Sequence, residues 1–156
     1  MKRIRKKVLN GKIFQSFMRK KYLVLLVMIF SIIGFITSVY LTWDHYQTED
    51  GFLCDIDESF GCDITKDSKY SELFNIPVGV FGIIWFLVIA GLATIEYKHN
   101  ITGIMLGWGI LGLLFVGFFV HGEYVLGAIC PYCTIAHAST ILIFIATLDF
   151  YRQRRR

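Results

Sequence analysis

The chain has 156 residues, 55% of them hydrophobic, with a mean hydropathy of +0.57. That composition excludes an ordinary soluble globular domain. The formal charge of +4 comes from basic residues gathered at the two ends, so it reads as a topology signal and not as a nucleic-acid footprint.

In chain order, residues 1–21 carry nine Lys/Arg and no acid, a basic segment. Four apolar runs follow, Tyr22 to Trp43, Pro77 to Ile95, Thr102 to His121 and Pro131 to Tyr151. Each has roughly 19–22 residues, enough at about 1.5 Å per residue to cross a hydrocarbon core of about 30 Å. The first is too long for the core of a signal peptide and no small-residue cleavage site follows it, so it is expected to stay as an anchor. The expected fold is an all-α membrane protein, a four-helix transmembrane bundle formed by residues 22–151, with a basic tail at 152–156. Four of the remaining basic residues lie in that tail, while the loop 44–76 holds nine of the twelve acids. The positive-inside rule therefore places both termini in the cytoplasm and this loop outside. Lipid headgroups, not nucleic acid, are the expected contacts of the basic ends.

Within the outer loop, Ile64 to Phe74 interleaves Ile64, Tyr70, Leu73 and Phe74 with charged residues. A short amphipathic helix at the membrane surface, acting as a lid, suits that pattern. The third run is glycine-rich. Gly103 and Gly107 form a Gly-x-x-x-Gly pair expected to let helix backbones approach. A short outer turn is expected from His121 to Ile129.

The four cysteines carry the chemistry. Cys54 and Cys62 lie in the first outer loop, and Cys130-Pro131-Tyr132-Cys133 opens the last run. Two pairs on the outer side read as two dithiol/disulfide couples in a compartment that permits oxidation. Proline is favoured at the first helical position, which makes Cys130 the N-cap and Cys133 the third helical residue. The helix dipole and free N–H groups there favour thiolate, an effect expected at the better-solvated sulfur. Cys130, Cys133, His137 and Thr140 share one helix face by spacing. A histidine one turn inside the membrane is ordinarily a satisfied structural residue, but its alignment with two cysteines favours a role in a site.

On these residues the chain resembles the vitamin K epoxide reductase family in its small four-helix form. The matching features are Cys54 and Cys62, Ser68 six residues later, Phe74-Asn75-Ile76-Pro77 before the second run, and Cys130-Pro131-Tyr132-Cys133. The resemblance implies that Cys130 and Cys133 are the active-site pair, with Cys133 nearest a quinone and able to form an adduct with it. It implies that Cys54 and Cys62 are a shuttle pair, Cys54 exchanging with a thioredoxin-fold partner and Cys62 relaying to Cys130. Ser68 matches a hydroxyl that stabilises the site beneath the lid. Val78 stands about where the vertebrate enzymes carry a quinone-bonding asparagine, and His137 where they carry a tyrosine. Those departures suit a bacterial user of menaquinone, ubiquinone or a phylloquinone-like molecule, with Ser68 and His137 as the quinone's hydrogen-bonding candidates. The function implied is a thiol–disulfide oxidoreductase of the bacterial cytoplasmic membrane that supports disulfide bond formation.

The alternatives are a reductase that recycles the quinone or vitamin K epoxide itself, and a non-enzymatic scaffold held by two inert disulfides. A four-cysteine zinc site is a further alternative, although the eight-residue spacing of Cys54 and Cys62 is loose for one and an oxidising compartment disfavours it; no metal is expected. The other quinone-linked thiol oxidases of bacterial inner membranes place the Cys-x-x-Cys in the first outer loop, the reverse of the order here.

Overall fold

The computed structural model describes residues 2–47 and 71–155, with side chains from residue 20 onward except Arg154. Its main elements are helix α1 (Lys2–His45), a hairpin of β1 (Glu72–Leu73) and β2 (Ile76–Pro77), then α2 (Val78–Lys98), α3 (Thr102–Leu126) and α4 (Pro131–Arg155). Four helices contain stretches long and apolar enough to cross a membrane: Lys20–His45, Val78–Lys98, Thr102–Leu126 and Pro131–Gln153. The chain is thus a multi-pass helical membrane protein. The basic N-terminal segment is helical and continuous with the first span. The third helix outruns its expected end, so the turn predicted over His121 to Ile129 shrinks to Gly127–Ile129. Gly127 closes α3 at φ 64°, the left-handed conformation that glycine adopts without a Cβ penalty.

Every side of these helices is apolar, so what distinguishes inner from outer faces is close fit. Val27 on α1, Ile89 and Ala93 on α2, Met105 on α3 and Ile143 on α4 are wholly buried. Isoleucines and leucines such as Ile36, Ile104, Leu114 and Ile145 point outward, as a lipid-facing surface requires. Helix α1 packs against both α2 and α4, and α3 leans mainly on α4.

Small residues mark the crossings. A Cβ on Gly34 would meet the Phe86 ring, one on Gly79 the Ser38 and Thr42 backbone, and one on Gly112 the Trp85 ring. Gly103, Gly107 and Gly117 face open space. Among the described residues the Gly-x-x-x-Gly pair therefore makes no packing contact within the bundle, whereas Gly109 and Gly112 of α3 do.

Hydroxyls in these spans turn back on their own helices, which satisfies them where water is absent. Ser31, Thr37, Thr140 and Thr147 each donate to the carbonyl four residues earlier, at 2.7–3.0 Å. Trp85 and Trp108 stitch α2 to α3 reciprocally, each indole N–H donating to the other's carbonyl at 3.3 Å. At the opposite end of the bundle from the Cys130 helix start, Glu96 is buried and caps α3. It accepts from the Ile101 N–H at 2.6 Å and the Thr102 hydroxyl at 2.8 Å.

The hairpin turns through Phe74 (φ 56°) and Asn75 (φ 60°), both left-handed as a two-residue type I′ connection demands. Asparagine tolerates that conformation and phenylalanine tolerates it poorly. The Val78 N–H donates to the Ser71 carbonyl at 2.9 Å, and His45 at the end of α1 pairs with Glu72 at 3.1 Å. The predicted amphipathic lid helix over Ile64 to Phe74 is corrected at its end, because residues 71–74 are bend, strand and turn. Alternating exposure of a two-residue strand beside a turn mimics helical amphipathicity over so short a window. The rest of that segment lies outside the described residues.

Candidate functional site

The site begins with the way α4 starts. Cys130 is its N-cap: the Cys133 N–H donates to the Cys130 sulfur at 3.2 Å, and the Thr134 N–H to the Cys130 carbonyl at 3.0 Å. Pro131 takes the first helical position, where its missing N–H leaves no donor unpaired. The two sulfurs then diverge in environment. Cys130 is wholly buried against Leu41, Tyr132 and Cys133, with the Tyr40 and Tyr132 rings 4.5 Å apart beside it. Cys133 is half-buried and reaches a cavity.

This reverses one expectation. The sulfur held below the ordinary thiol range is the buried Cys130, not the better-solvated one. The Cys133 thiol donates a hydrogen bond to it, and the Cys133 and Tyr132 N–H groups add theirs. Burial and the nearby Glu123 carboxylate oppose the shift without cancelling it. Hydrogen bonds to the charged form outweigh desolvation here because the helix start supplies them ready-made.

The cavity has a volume of about 320 Å³, at the lower end of the roughly 300–1,000 Å³ of small-molecule sites. Its walls are mostly aromatic and aliphatic. Phe81 and Trp85 come from α2, and Trp108, Phe115 and Phe119 come from α3. Cys133, Ala136, His137 and Thr140 contribute the α4 wall, so three of the four residues predicted to share a face do open on one space. The His137 ring stacks on Phe119 with centroids 6.2 Å apart and planes 10° apart. Thr140 is less available to a ligand, since its hydroxyl already donates to the Ala136 carbonyl. Val78 also lines the space and offers only methyl groups. Cys54, Cys62 and Ser68 lie outside the described residues.

Two lining carboxylates were not singled out from the sequence. Asp44, the single acid of the first span, is buried, and Glu123 lies near the end of α3. Each has one carboxylate oxygen buried without a hydrogen-bond partner among the described residues. The signal available was an ionisable residue at the edge of an apolar run, since one within a span marks a functional candidate by default. Among the described residues no three His, Cys, Asp or Glu side chains gather as a metal-ligand set. The zinc alternative requires Cys54 and Cys62, which are not among those residues.

Four membrane-crossing helices around an apolar cavity, with a dithiol at its rim, define a multi-pass membrane protein of the Cys-x-x-Cys type. The chain matches the model of the Vitamin K epoxide reductase family over residues 25–148, most of its length, and it belongs to that family. Comparison with curated proteins gave no significant match. Members of this family are oxidoreductases that act with quinones, and membership supports a quinone-linked redox role for this chain.

Proposed function

We propose that this protein is a membrane thiol–disulfide oxidoreductase that takes electrons from a thioredoxin-fold partner and delivers them to a quinone, so supporting disulfide bond formation. The observation that carries the reading is the asymmetry of the dithiol. Cys133 opens on an apolar cavity of about 320 Å³, while Cys130 is sealed behind it with its thiol held toward the ionised form.

In this reading a quinone ring enters the cavity against Cys133 and His137. Cys133 gives up its proton and adds to the ring, the Cys130 thiolate attacks the Cys133 sulfur, and the sulfur–ring bond breaks as the S–S bond forms. The ring leaves as a quinol with the pair's two electrons, the Cys133 proton and the proton that Cys130 gave up on ionising. His137 and Ser68 are the proposed hydrogen-bond donors to the ring's carbonyls, since Val78 cannot donate. Reduction of the new disulfide then falls to Cys62, and Cys54 exchanges with the partner through a mixed disulfide. Two pairs are needed because a lipid-dissolved quinone and a water-soluble protein cannot meet at one sulfur. The active end of the bundle and the loop 44–76 are placed on the outer face of a bacterial cytoplasmic membrane, with both termini inside.

The test compares two reductants in the Cys54→Ala variant. Turnover with a reduced thioredoxin-fold protein is expected to stop, while turnover with a small dithiol, which can reach the inner pair, continues. Equal loss with both reductants would show that Cys54 is not the shuttle residue.

A further inference from the structure

Glu123 is a half-buried titratable group at the dithiol to which the mechanism above gives no task. It sits on α3 seven residues before Cys130, in the last turn, and Gly127 folds the chain back so that its carboxylate faces the Cys130 backbone N–H. It lines the same cavity as Cys133 and His137, and its Oε1 is buried with no partner among the described residues. A carboxylate oxygen left unpaired in an apolar pocket is costly, and such groups persist where they serve a reaction.

We infer that Glu123 is the proton-accepting residue of the Cys130–Cys133 pair, taking the proton released as the disulfide forms and giving it to the reduced quinone in the cavity. The inference rests on the quinone reading above and deepens it. The balance is closed: between dithiol and disulfide the pair gives up two electrons and two protons, one proton when Cys130 ionises and one from Cys133 as the S–S bond forms, and the quinone becomes a quinol by gaining them all. One of those protons passes through Glu123, which ends as the carboxylate it began as. The mostly apolar walls of the cavity give the need for such a group, because few side chains there can take a proton at one wall and return it at another. Among the described residues, the other titratable groups facing this space are Asp44 and His45 from α1 and Cys133 and His137 from α4, with Cys130 just behind. Of these, His45 is engaged with Glu72.

The experiment uses the full chain in lipid nanodiscs, reduced to the dithiol. Oxidation is followed with two acceptors, a short-chain naphthoquinone and a small neutral disulfide such as hydroxyethyl disulfide. The disulfide's protons end on thiols released to water, so it needs no proton delivered inside the cavity. In Glu123→Gln the amide oxygen still faces the Cys130 N–H, but the side chain cannot carry a proton. The quinone rate in this variant is expected to fall roughly 10²-fold near neutral pH, the lower range of general acid–base contributions, and the disulfide rate, which needs no proton returned inside the cavity, to fall far less. The lost rate is expected to return as pH rises and solution bases take over, and Glu123→Asp is expected to retain part of it. Parallel loss with both acceptors would make Glu123 a structural residue, and no loss with either would leave it without a task; each overturns the inference. Wild-type protein that exchanges with the disulfide but reduces no quinone would instead overturn the quinone reading, and this inference with it.

Discussion

At the scale of single residues, the dithiol works because its two sulfurs are placed differently on one helical turn. Cys130 as N-cap collects hydrogen bonds that favour its thiolate, and Cys133 faces the cavity. The consequence is measurable. The thiolate absorbance of Cys130, read in a variant lacking Cys54 and Cys62, is expected to follow a pH midpoint below that of an ordinary thiol, and adding Cys133→Ala is expected to move that midpoint upward by removing the largest stabilising hydrogen bond. A depressed value in the folded state means that the thiolate stabilises the fold above the unfolded thiol's pKa. That contribution is lost as pH falls through the folded value. A midpoint unmoved in Cys133→Ala would show that the backbone N–H groups alone hold the shift. The cap, the proline and the shared face of Cys133 and His137 were legible in the sequence, because proline's fixed φ and helical spacing are local facts. Glu123 was not. It was read as part of a turn, and only the extension of α3 to Leu126 and the reversal at Gly127 bring it back over Cys130.

At the scale of elements, helix existence was legible and helix contact was not. Four runs of sufficient length named the spans within a few residues. The side of each run that faces the cavity depends on register between helices, and uniformly apolar sequences do not encode it. The glycines show this well: Gly103 and Gly107 carry the familiar motif yet face open space, while Gly79 and Gly112 sit at crossings. Glu96 is the clearest element-level device, since one buried carboxylate satisfies both the Ile101 N–H and the Thr102 hydroxyl at the start of α3. Glu96→Ala is expected to destabilise the bundle by about 1–3 kcal/mol, the cost of leaving such groups unpaired. A thermal melt in detergent reads it as a lower Tm, with Glu96→Gln falling between. A variant as stable as wild type would mean that water or lipid headgroups cap the helix equally well.

At the scale of the whole molecule, the bundle sets a small, mostly apolar cavity beside a thiol pair, and the proposed orientation puts the basic ends of the chain at the other side of the membrane. The proposed orientation rests on thirteen of sixteen Lys/Arg lying in residues 1–21 and 152–156. Single cysteines introduced at Thr48 and Lys98 of a cysteine-free variant report on it. A membrane-impermeant reagent applied to intact cells is expected to label the first and spare the second, and the opposite pattern inverts the topology.

The central claim is that electrons leave the dithiol through Cys133 into a quinone held in this cavity. The most direct measurement mixes the reduced protein in nanodiscs with a short-chain naphthoquinone and follows quinone absorbance through a single turnover. The account predicts quinol formation in step with disulfide formation between Cys130 and Cys133 in the wild type, and none in Cys133→Ala. Quinol formation at an undiminished rate in Cys133→Ala, or disulfide formation with the quinone left oxidised, would contradict it.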